Sequence, residues 1–225
     1  MEYHDDFTWT DPSESEFSWN PRLGDGSKIT PHPSEGFVEF KNSKTDEQAY
    51  LEMEENVIDL DKNPDVRFTV VESASQPQMG GAWEFFIISQ DSAGHRPWVL
   101  IDAGGGMGVE NTELKDDSSG DGFFARKDQI LSHWRDDVGN PMFSWDKFKS
   151  APIDHSEKRE LRLELRSSTG EVRGYVDGEL QADLSKENGQ NFPSKGKVAV
   201  MMKLHDRGDH SERGFVHSAT LEIIN

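Results

Sequence analysis

Short segments in which apolar and polar residues alternate recur along most of this 225-residue chain. The clearest is 159–167 (RELRLELRS), where leucine occupies every second position. Asp177-Gly178 lies between two further segments of this kind, and Asp-Gly is among the strongest short signals for a two-residue hairpin. Many short strands at a spacing of roughly 8–12 residues predict an all-β fold, a two-sheet sandwich of the jelly-roll type.

The strand predictions cover ten segments: 36–40, 49–53, 65–72, 82–90, 97–103, 159–167, 171–176, 179–183, 197–205 and 216–224. Between them, 104–121 is rich in Gly, Ser and Asp, which predicts a long acidic loop. Residues 127–136 (KDQILSHWRD) predict a short helix with Ile130, Leu131 and Trp134 facing inward. We expect one domain over 1–225, in which 1–30 forms an extended N-terminal segment.

Composition restricts the partners that the chain can have. It holds 43 Asp and Glu against 24 Lys and Arg, a formal net charge of −19, and no Cys. This charge repels phosphate backbones and anionic lipids, so we expect neither a nucleic acid nor a membrane partner. Disulfides and cysteine-based zinc sites are excluded. The first residues lack the features of a signal peptide, and we expect a mature secreted or extracellular chain, monomeric, rather than a cytoplasmic one.

The segment 160–183 reads ELRLELRSSTGEVRGYVDGELQAD. An alternating strand followed by a YVDG-x-L hairpin resembles the concanavalin A-like lectin/glucanase superfamily, which includes laminin-G-like modules. The resemblance extends over about residues 159–225, including the Phe192-Pro193 loop and the last two strands. It implies a jelly roll with a glycan-binding face. It transfers no catalytic residue, because the Glu-x-Asp-x-x-Glu strand of laminarinase-type glucanases has no match here.

Two carboxylates next to tryptophans form the first candidate site. Trp83 precedes Glu84, and Trp98 lies four residues before Asp102. A Trp beside a carboxylate suits sugar stacking combined with acid chemistry, because an apolar neighbour raises the pKa of a carboxyl group. Glycoside hydrolysis requires two carboxyls, so Glu84 would act with Asp102 or Glu164 if their strands are neighbours. The alternative is a set of core aromatics with one carboxylate at the rim.

Two polar strand faces form the second candidate site. Arg162, Glu164 and Arg166 alternate with leucines, and Lys203 and His205 share a face of the strand 197–205. The cations could bind a glycan, and His205 could transfer protons. The alternative is a solvated sheet face with cross-strand ion pairs. A further acid pair, Glu52 and Glu54, is equally compatible with solvent exposure.

Residues 117–128 follow the calcium-loop pattern and predict a structural calcium. The expected ligands are Asp117, Ser119, Asp121 and Asp128, with Gly122 at the turn position. The pattern departs from the standard loop because its last ligand is Asp, and a polar turn is the alternative. The segment 59–65 is a weaker second candidate.

Together these features predict a carbohydrate-active protein whose partner is a polysaccharide or oligosaccharide. We expect an endo-acting polysaccharide-degrading enzyme, a glycoside hydrolase or a polysaccharide lyase, that binds its chain in the groove of a concave sheet. Two alternatives stay open: a non-catalytic glycan-binding module or lectin that uses calcium, and an interaction domain without a glycan. The net charge of −19 favours a neutral glycan over an anionic one.

Overall fold

The fold was determined as a computed structural model. The structure describes residues 1–24, 26–42, 48–55, 57–74, 81–89, 98–105, 128–135, 141–145, 158–166, 168–169, 171–183, 197–206 and 212–224.

Two antiparallel sheets make up the fold, which confirms the prediction of an all-β sandwich. Sheet A consists of β1 (Glu2–Asp5), β3 (Lys28–His32), β4 (Phe37–Asn42), β7 (Asp65–Ala74), β12 (Arg159–Arg166), β13 (Glu171–Val176), β14 (Glu179–Asp183) and β16 (Glu212–Ile224). Its strand order is β14-β13-β12-β7-β16-β4-β3, and β1 also pairs with β16.

Sheet B consists of β2 (Trp19–Leu23), β5 (Gln48–Met53), β6 (Ile58–Asp59), β8 (Gly81–Ser89), β9 (Trp98–Gly105), β10 (Asp128–Arg135), β11 (Pro141–Trp145) and β15 (Lys197–Asp206). Its strand order is β11-β10-β9-β8-β15-β5-β2, and β6 also pairs with β15. The described residues hold two short 3-10 turns, Pro12–Glu14 and Leu60–Lys62. Within the described ranges, no helix has the length and apolar character of a membrane span.

Alternation along the strands builds the core. In sheet A, the leucines of β12 are buried, and its polar residues lie on the opposite face, as their spacing predicts. In sheet B, Leu51 and Met202 are fully buried, and they belong to the same apolar cluster as Phe68 and Leu163 of sheet A. Burying each such side chain contributes roughly 1.5–3 kcal/mol, so this cluster holds the two sheets together.

The predicted Asp-Gly hairpin is present between β13 and β14. Asp177 and Gly178 both have positive φ, 49° and 79°. These angles match a two-residue turn whose twist suits the flanking strands, and they explain why Asp and Gly occupy the turn.

A buried carboxylate organises the N-terminal residues, which join both sheets through β1 and β2. Asp5 is 4% exposed. It accepts hydrogen bonds from Phe7 N (2.7 Å), Ser15 Oγ (2.6 Å) and two indoles, Trp9 Nε1 (2.9 Å) and Trp19 Nε1 (2.7 Å). One side chain therefore fixes groups that are up to 14 residues away in sequence.

The prediction of a helix over 127–136 is wrong. Asp128–Arg135 is strand β10, paired with β9 on one side and with β11 on the other. The apolar residues Ile130, Leu131 and Trp134 fit either element, because a run this short does not define a period. Pairing on both sides satisfies the backbone along the strand. Of the predicted acidic loop, Gly104 and Gly105 belong to β9, and residues 106–121 lie outside the described residues.

Candidate functional site

Strand order in sheet B brings several predicted site residues into one row. Glu84 on β8 is directly opposite Lys203 on β15. Lys203 is opposite Tyr50 on β5, and Tyr50 is opposite Arg22 on β2. Directly opposite residues of antiparallel strands share a face of the sheet. We call this set of positions the central row.

Asp102 lies on the strand next to that of Glu84. The β8–β9 register pairs Phe85 with Ile101, and Glu84 and Asp102 are the residues next to this pair. Asp102 is opposite Leu131 on β10. Two of the acids that the sequence singles out therefore belong to neighbouring strands of sheet B.

The central row lies on the face of sheet B that is opposite the core. Leu51 and Met202, one residue along from Tyr50 and Lys203, are fully buried in the core cluster. Tyr50 is half-buried. In the neighbouring row of the same face, Met201 is 2% exposed. Positions of two acids, Glu52 and Glu84, and a half-buried aromatic residue therefore share this face of sheet B.

Glu52 is a buried acid on this outer face, although its sequence pattern is equally compatible with solvent exposure. It is 1% exposed and lies on β5 opposite Met201 and Asn20, one row from Tyr50. Its presumed partner Glu54 is exposed and follows the end of β5. The available signal was the alternation of Leu51 and Met53, which assigns Glu52 to the opposite face from these core residues.

The other predicted site residues of sheet B lie in three different rows. His205 lies on β15 opposite Ala82 and Gln48, in the row next to the central row. Trp98 on β9 is opposite Ile88 and shares the alternation of Asp102. Trp83 is opposite Leu204, whose other register partner is the buried Ala49. Trp83 thus belongs to a row of the core face, and Trp98 belongs to the face that carries the central row.

Glu164 and Arg162 lie on sheet A, in a network of ion pairs. Glu164 accepts a hydrogen bond from Arg67 Nε at 3.1 Å and one from Tyr175 Oη at 3.2 Å. Arg162 Nε lies 3.3 Å from the same carboxylate, and its guanidinium lies 4.3 Å from the centre of the Tyr175 ring. Arg67 also donates to Glu222 at 2.9 Å.

This network has the features of the cross-strand alternative that the sequence left open. The carboxylate of Glu222, together with that of Glu164, raises the pKa of Arg67. Arg166, at the end of β12, is exposed and in register with Asp65 and Glu171. Because these residues belong to sheet A, they do not share a sheet with Glu84. Glu84 therefore has Asp102, and not Glu164, as its neighbouring acid.

A histidine at the other end of sheet A is held in its neutral form. His217 Nε2 lies 2.8 Å from Ser73 Oγ, and its ring packs edge-on against Phe37 with centroids 5.9 Å apart. Burial, with a smaller contribution from the positive charge of Lys158, lowers the pKa of His217 to about 4. The folded protein therefore resists protonation of this ring.

The pKa of His217 predicts how stability depends on pH. Between about pH 6.5 and pH 4 the unfolded chain binds a proton at His217 that the folded chain does not, so stability falls as pH falls. Since the ring is only half-buried, we expect a loss of about 1–2 kcal/mol. Urea unfolding at several pH values should show a shallower fall for His217→Gln.

Comparing the variant with the wild type removes the contribution of other acids on this face. Burial raises the pKa of Glu39, but the hydrogen bonds and positive charges of Arg213 and His32 together outweigh it, and the net shift is downward. Glu39 titrates in both proteins, so it cancels in the difference. Equal pH slopes for the wild type and His217→Gln would contradict the assignment.

Among the residues that the structure describes, no group of three acidic or histidine side chains has the arrangement of a metal site. Of the predicted calcium ligands, Asp117, Ser119 and Asp121 lie outside the described residues, and Asp128 is the first residue of β10. In the weaker candidate, the Asp59 side chain accepts from Asp61 N at 3.2 Å and pairs with Lys62 at 3.3 Å. That segment is a capped 3-10 turn.

Comparison with known proteins gives a result at the level of fold. No family model matches the chain, and no curated protein matches it significantly in sequence. Among solved structures, the potassium-bound carbohydrate recognition domain of Emp46p is similar with a TM-score of 0.59 and 12% identity, covering 96% of this chain and 94% of that one. A metal-free form of the same domain is also similar, with a TM-score of 0.61.

Two enzyme structures are similar over comparable lengths. The Crh5 transglycosylase in complex with NAG has a TM-score of 0.60 and 14% identity, covering 98% of this chain and 83% of that one. A putative beta-glucanase from Mycobacterium abscessus has a TM-score of 0.56 and 11% identity, covering 98% and 99%. At these identities the similarity concerns the fold alone. The chain therefore has a two-sheet β-sandwich fold similar to the folds of the Emp46p domain, the Crh5 transglycosylase and the putative beta-glucanase.

Proposed function

We propose that this protein is an endo-acting glycoside hydrolase that binds a glycan chain across the outer face of sheet B. The observation that carries the proposal is the position of Glu84 and Asp102 on the neighbouring strands β8 and β9, next to the registered pair of Phe85 and Ile101. The fold, which it shares with a transglycosylase and a putative beta-glucanase, agrees with this proposal.

Glycoside hydrolysis uses two carboxyls, and we propose Glu84 and Asp102 for these roles. Tyr50 in the central row, and Trp98 on the same face, are aromatic residues on which sugar rings could stack.

A polysaccharide lyase is the second candidate, and a different group of residues favours it. Tyr50, Lys203, Gln48 and His205 occupy adjacent register positions on β5 and β15, with Arg22 next to Tyr50 on β2. Elimination from a uronate needs cations or hydrogen-bond donors at the carboxylate and a base such as Tyr or His at the adjacent C–H. The net charge of −19 opposes the approach of such an anionic polymer, so we place this candidate second.

The experiment is a panel of neutral and uronate-containing polysaccharides, each incubated with and without calcium. New reducing ends and the absorbance of unsaturated uronates are followed together. We expect reducing ends without the absorbance. Reducing ends together with the absorbance would identify a lyase. Binding without either signal would identify a glycan-binding module, the activity class named for the Emp46p domain.

A further inference from the structure

We propose that the outer face of sheet A holds a second, non-catalytic binding site for a neutral polysaccharide. The site is built on four rings at one end of the sheet, which we call the ring cluster: His32, Phe37, Phe215 and His217. This inference rests on the glycan ligand of the proposed function, but it does not depend on the acids of sheet B.

Strand alternation places the ring cluster on the side of sheet A that faces away from the core. Val38 and Val216 are register partners, and both are fully buried in the core. The residues that precede them, Phe37 and Phe215, therefore lie on the opposite face. Both are half-buried, so part of each ring contacts solvent. Contiguous apolar surface that stays exposed on a folded protein commonly marks a binding site.

The rings hold one another in a single arrangement. His32 stacks on Phe37 with ring centroids 4.5 Å apart and an angle of 25° between the planes. Phe37 in turn packs edge-on against Phe215, with centroids 5.4 Å apart. Burial, which lowers the pKa of His217 to about 4, keeps that ring uncharged at neutral pH. The cluster is therefore an ordered aromatic surface, and a ligand that binds it loses little free energy in ordering side chains.

Charged groups that border the rings are also held in place. Glu39, opposite Phe215, is 8% exposed and accepts a hydrogen bond from Arg213 Nε. Glu39 Oε2 lies 3.5 Å from His32 Nε2, and Glu35 Oε2 lies 3.2 Å from His32 Nδ1. The side chains of Arg213 and Glu35 are 52% and 59% exposed. A guanidinium donates hydrogen bonds and a carboxylate accepts them, so both kinds of group stand at the edge of the ring cluster.

This combination suits a sugar ring. A pyranose has an apolar face of C–H groups, which can pack on an aromatic ring, and a rim of hydroxyls that both donate and accept hydrogen bonds. An anionic ligand fits less well, because the carboxylates of Glu35 and Glu39 and the net charge of −19 oppose its approach. The chemistry of the ring cluster therefore favours a neutral glycan.

The position of the ring cluster separates it from catalysis. The outer faces of sheets A and B are opposite sides of the sandwich, so one short sugar chain does not lie on both. A long or networked polysaccharide can occupy both faces, and the second contact then raises the overall affinity through a high effective concentration. We expect the ring cluster to keep the protein on its polymer and to leave cleavage itself unchanged.

Affinity electrophoresis in the cold tests the site. The protein runs in native gels that contain xylan, galactomannan or mixed-linkage β-glucan, and retardation at several polymer concentrations gives an apparent Kd. Phe215→Leu removes the ring but keeps an apolar side chain, and the apparent Kd should rise about two- to tenfold. Phe215→Tyr keeps a ring and should bind as the wild type does. Tyr175→Leu is the matched control: Tyr175 is a half-buried aromatic residue of sheet A that packs against Arg162 on the far strands, and its loss should leave binding unchanged.

Turnover of a tetrasaccharide of the retarding polymer distinguishes this site from the groove on sheet B. Because the two faces are separate, kcat/KM of Phe215→Leu should stay within about twofold of the wild-type value. Equal retardation of Phe215→Leu and the wild type would overturn the second site, and so would a fall in kcat/KM as large as the fall in binding. If no polymer retards the wild type, the site is overturned together with the glycan ligand. Retardation that depends on Phe215 in a protein without turnover would support the site and refute the hydrolase.

Discussion

Glu84→Gln is expected to reduce kcat by at least about 10³-fold on whichever neutral glycan the wild type cleaves. An amide can act neither as a nucleophile nor as a general acid, so the reaction loses one of its two proposed carboxyls. The free energy of unfolding should change by no more than about 1.5 kcal/mol, because the substitution conserves the size and shape of the side chain. Initial rates and urea unfolding on the same preparations measure both quantities.

Two control variants show whether the loss of turnover is specific to Glu84. Glu54→Gln removes an exposed acid just past the end of β5 and should keep wild-type turnover. Glu164→Gln removes the acid that pairs with Arg67 on sheet A and should also keep turnover. If Glu164→Gln were inactive and Glu84→Gln active, the site would lie on sheet A.

Asp5→Ala is expected to destabilise the fold by about 4 kcal/mol or more. Asp5 accepts hydrogen bonds from four groups, two of them the indoles of Trp9 and Trp19. Without the carboxylate these donors stay buried without an acceptor, and each unsatisfied donor costs about 1–3 kcal/mol. Urea unfolding followed by tryptophan fluorescence measures the change, and the variant keeps every tryptophan.

Asp6→Ala is the control for this substitution. Asp6 is the next residue, is exposed, and accepts from Thr8 Oγ1 at 2.8 Å. We expect a change of about 0.5 kcal/mol or less. Asp5→Asn should fall between the two, because its amide keeps one acceptor oxygen and loses the charge. An Asp5→Ala variant as stable as Asp6→Ala would show that water replaces the carboxylate, and that Asp5 does not organise this segment.

Strands with a clear local sequence pattern could be predicted from the sequence. The segment 159–167 alternates strictly, and β12 is Arg159–Arg166 with its leucines buried. Asp177-Gly178 supplies its own turn chemistry, so the bounds of β13 and β14 follow. By contrast, β2 contains Pro21, and β10 has a mixed pattern. Such strands exist because of their neighbours in the sheet, which a single sequence does not display.

Predicting the candidate site requires the register of the paired strands as well as the residue types. Glu84 and Asp102 stood out because each lies near a tryptophan, but only the pairing of β8 with β9 shows that their strands are neighbours. Glu164 has an equally suitable pattern, and the pairing of β12 with β7 places it on the other sheet. The separation of Glu52 from Glu54 likewise depends on where β5 ends. Long-range pairing, which local sequence does not determine, sets all three outcomes.

The most direct test is a crystal structure of Glu84→Gln with an oligosaccharide of the glycan that the wild type cleaves. The account predicts sugar rings across β15, β8 and β9 on the outer face of sheet B, with the scissile bond at the position of Glu84 and Asp102. An oligosaccharide bound instead over Arg67, Arg162 and Glu164 on sheet A would contradict it.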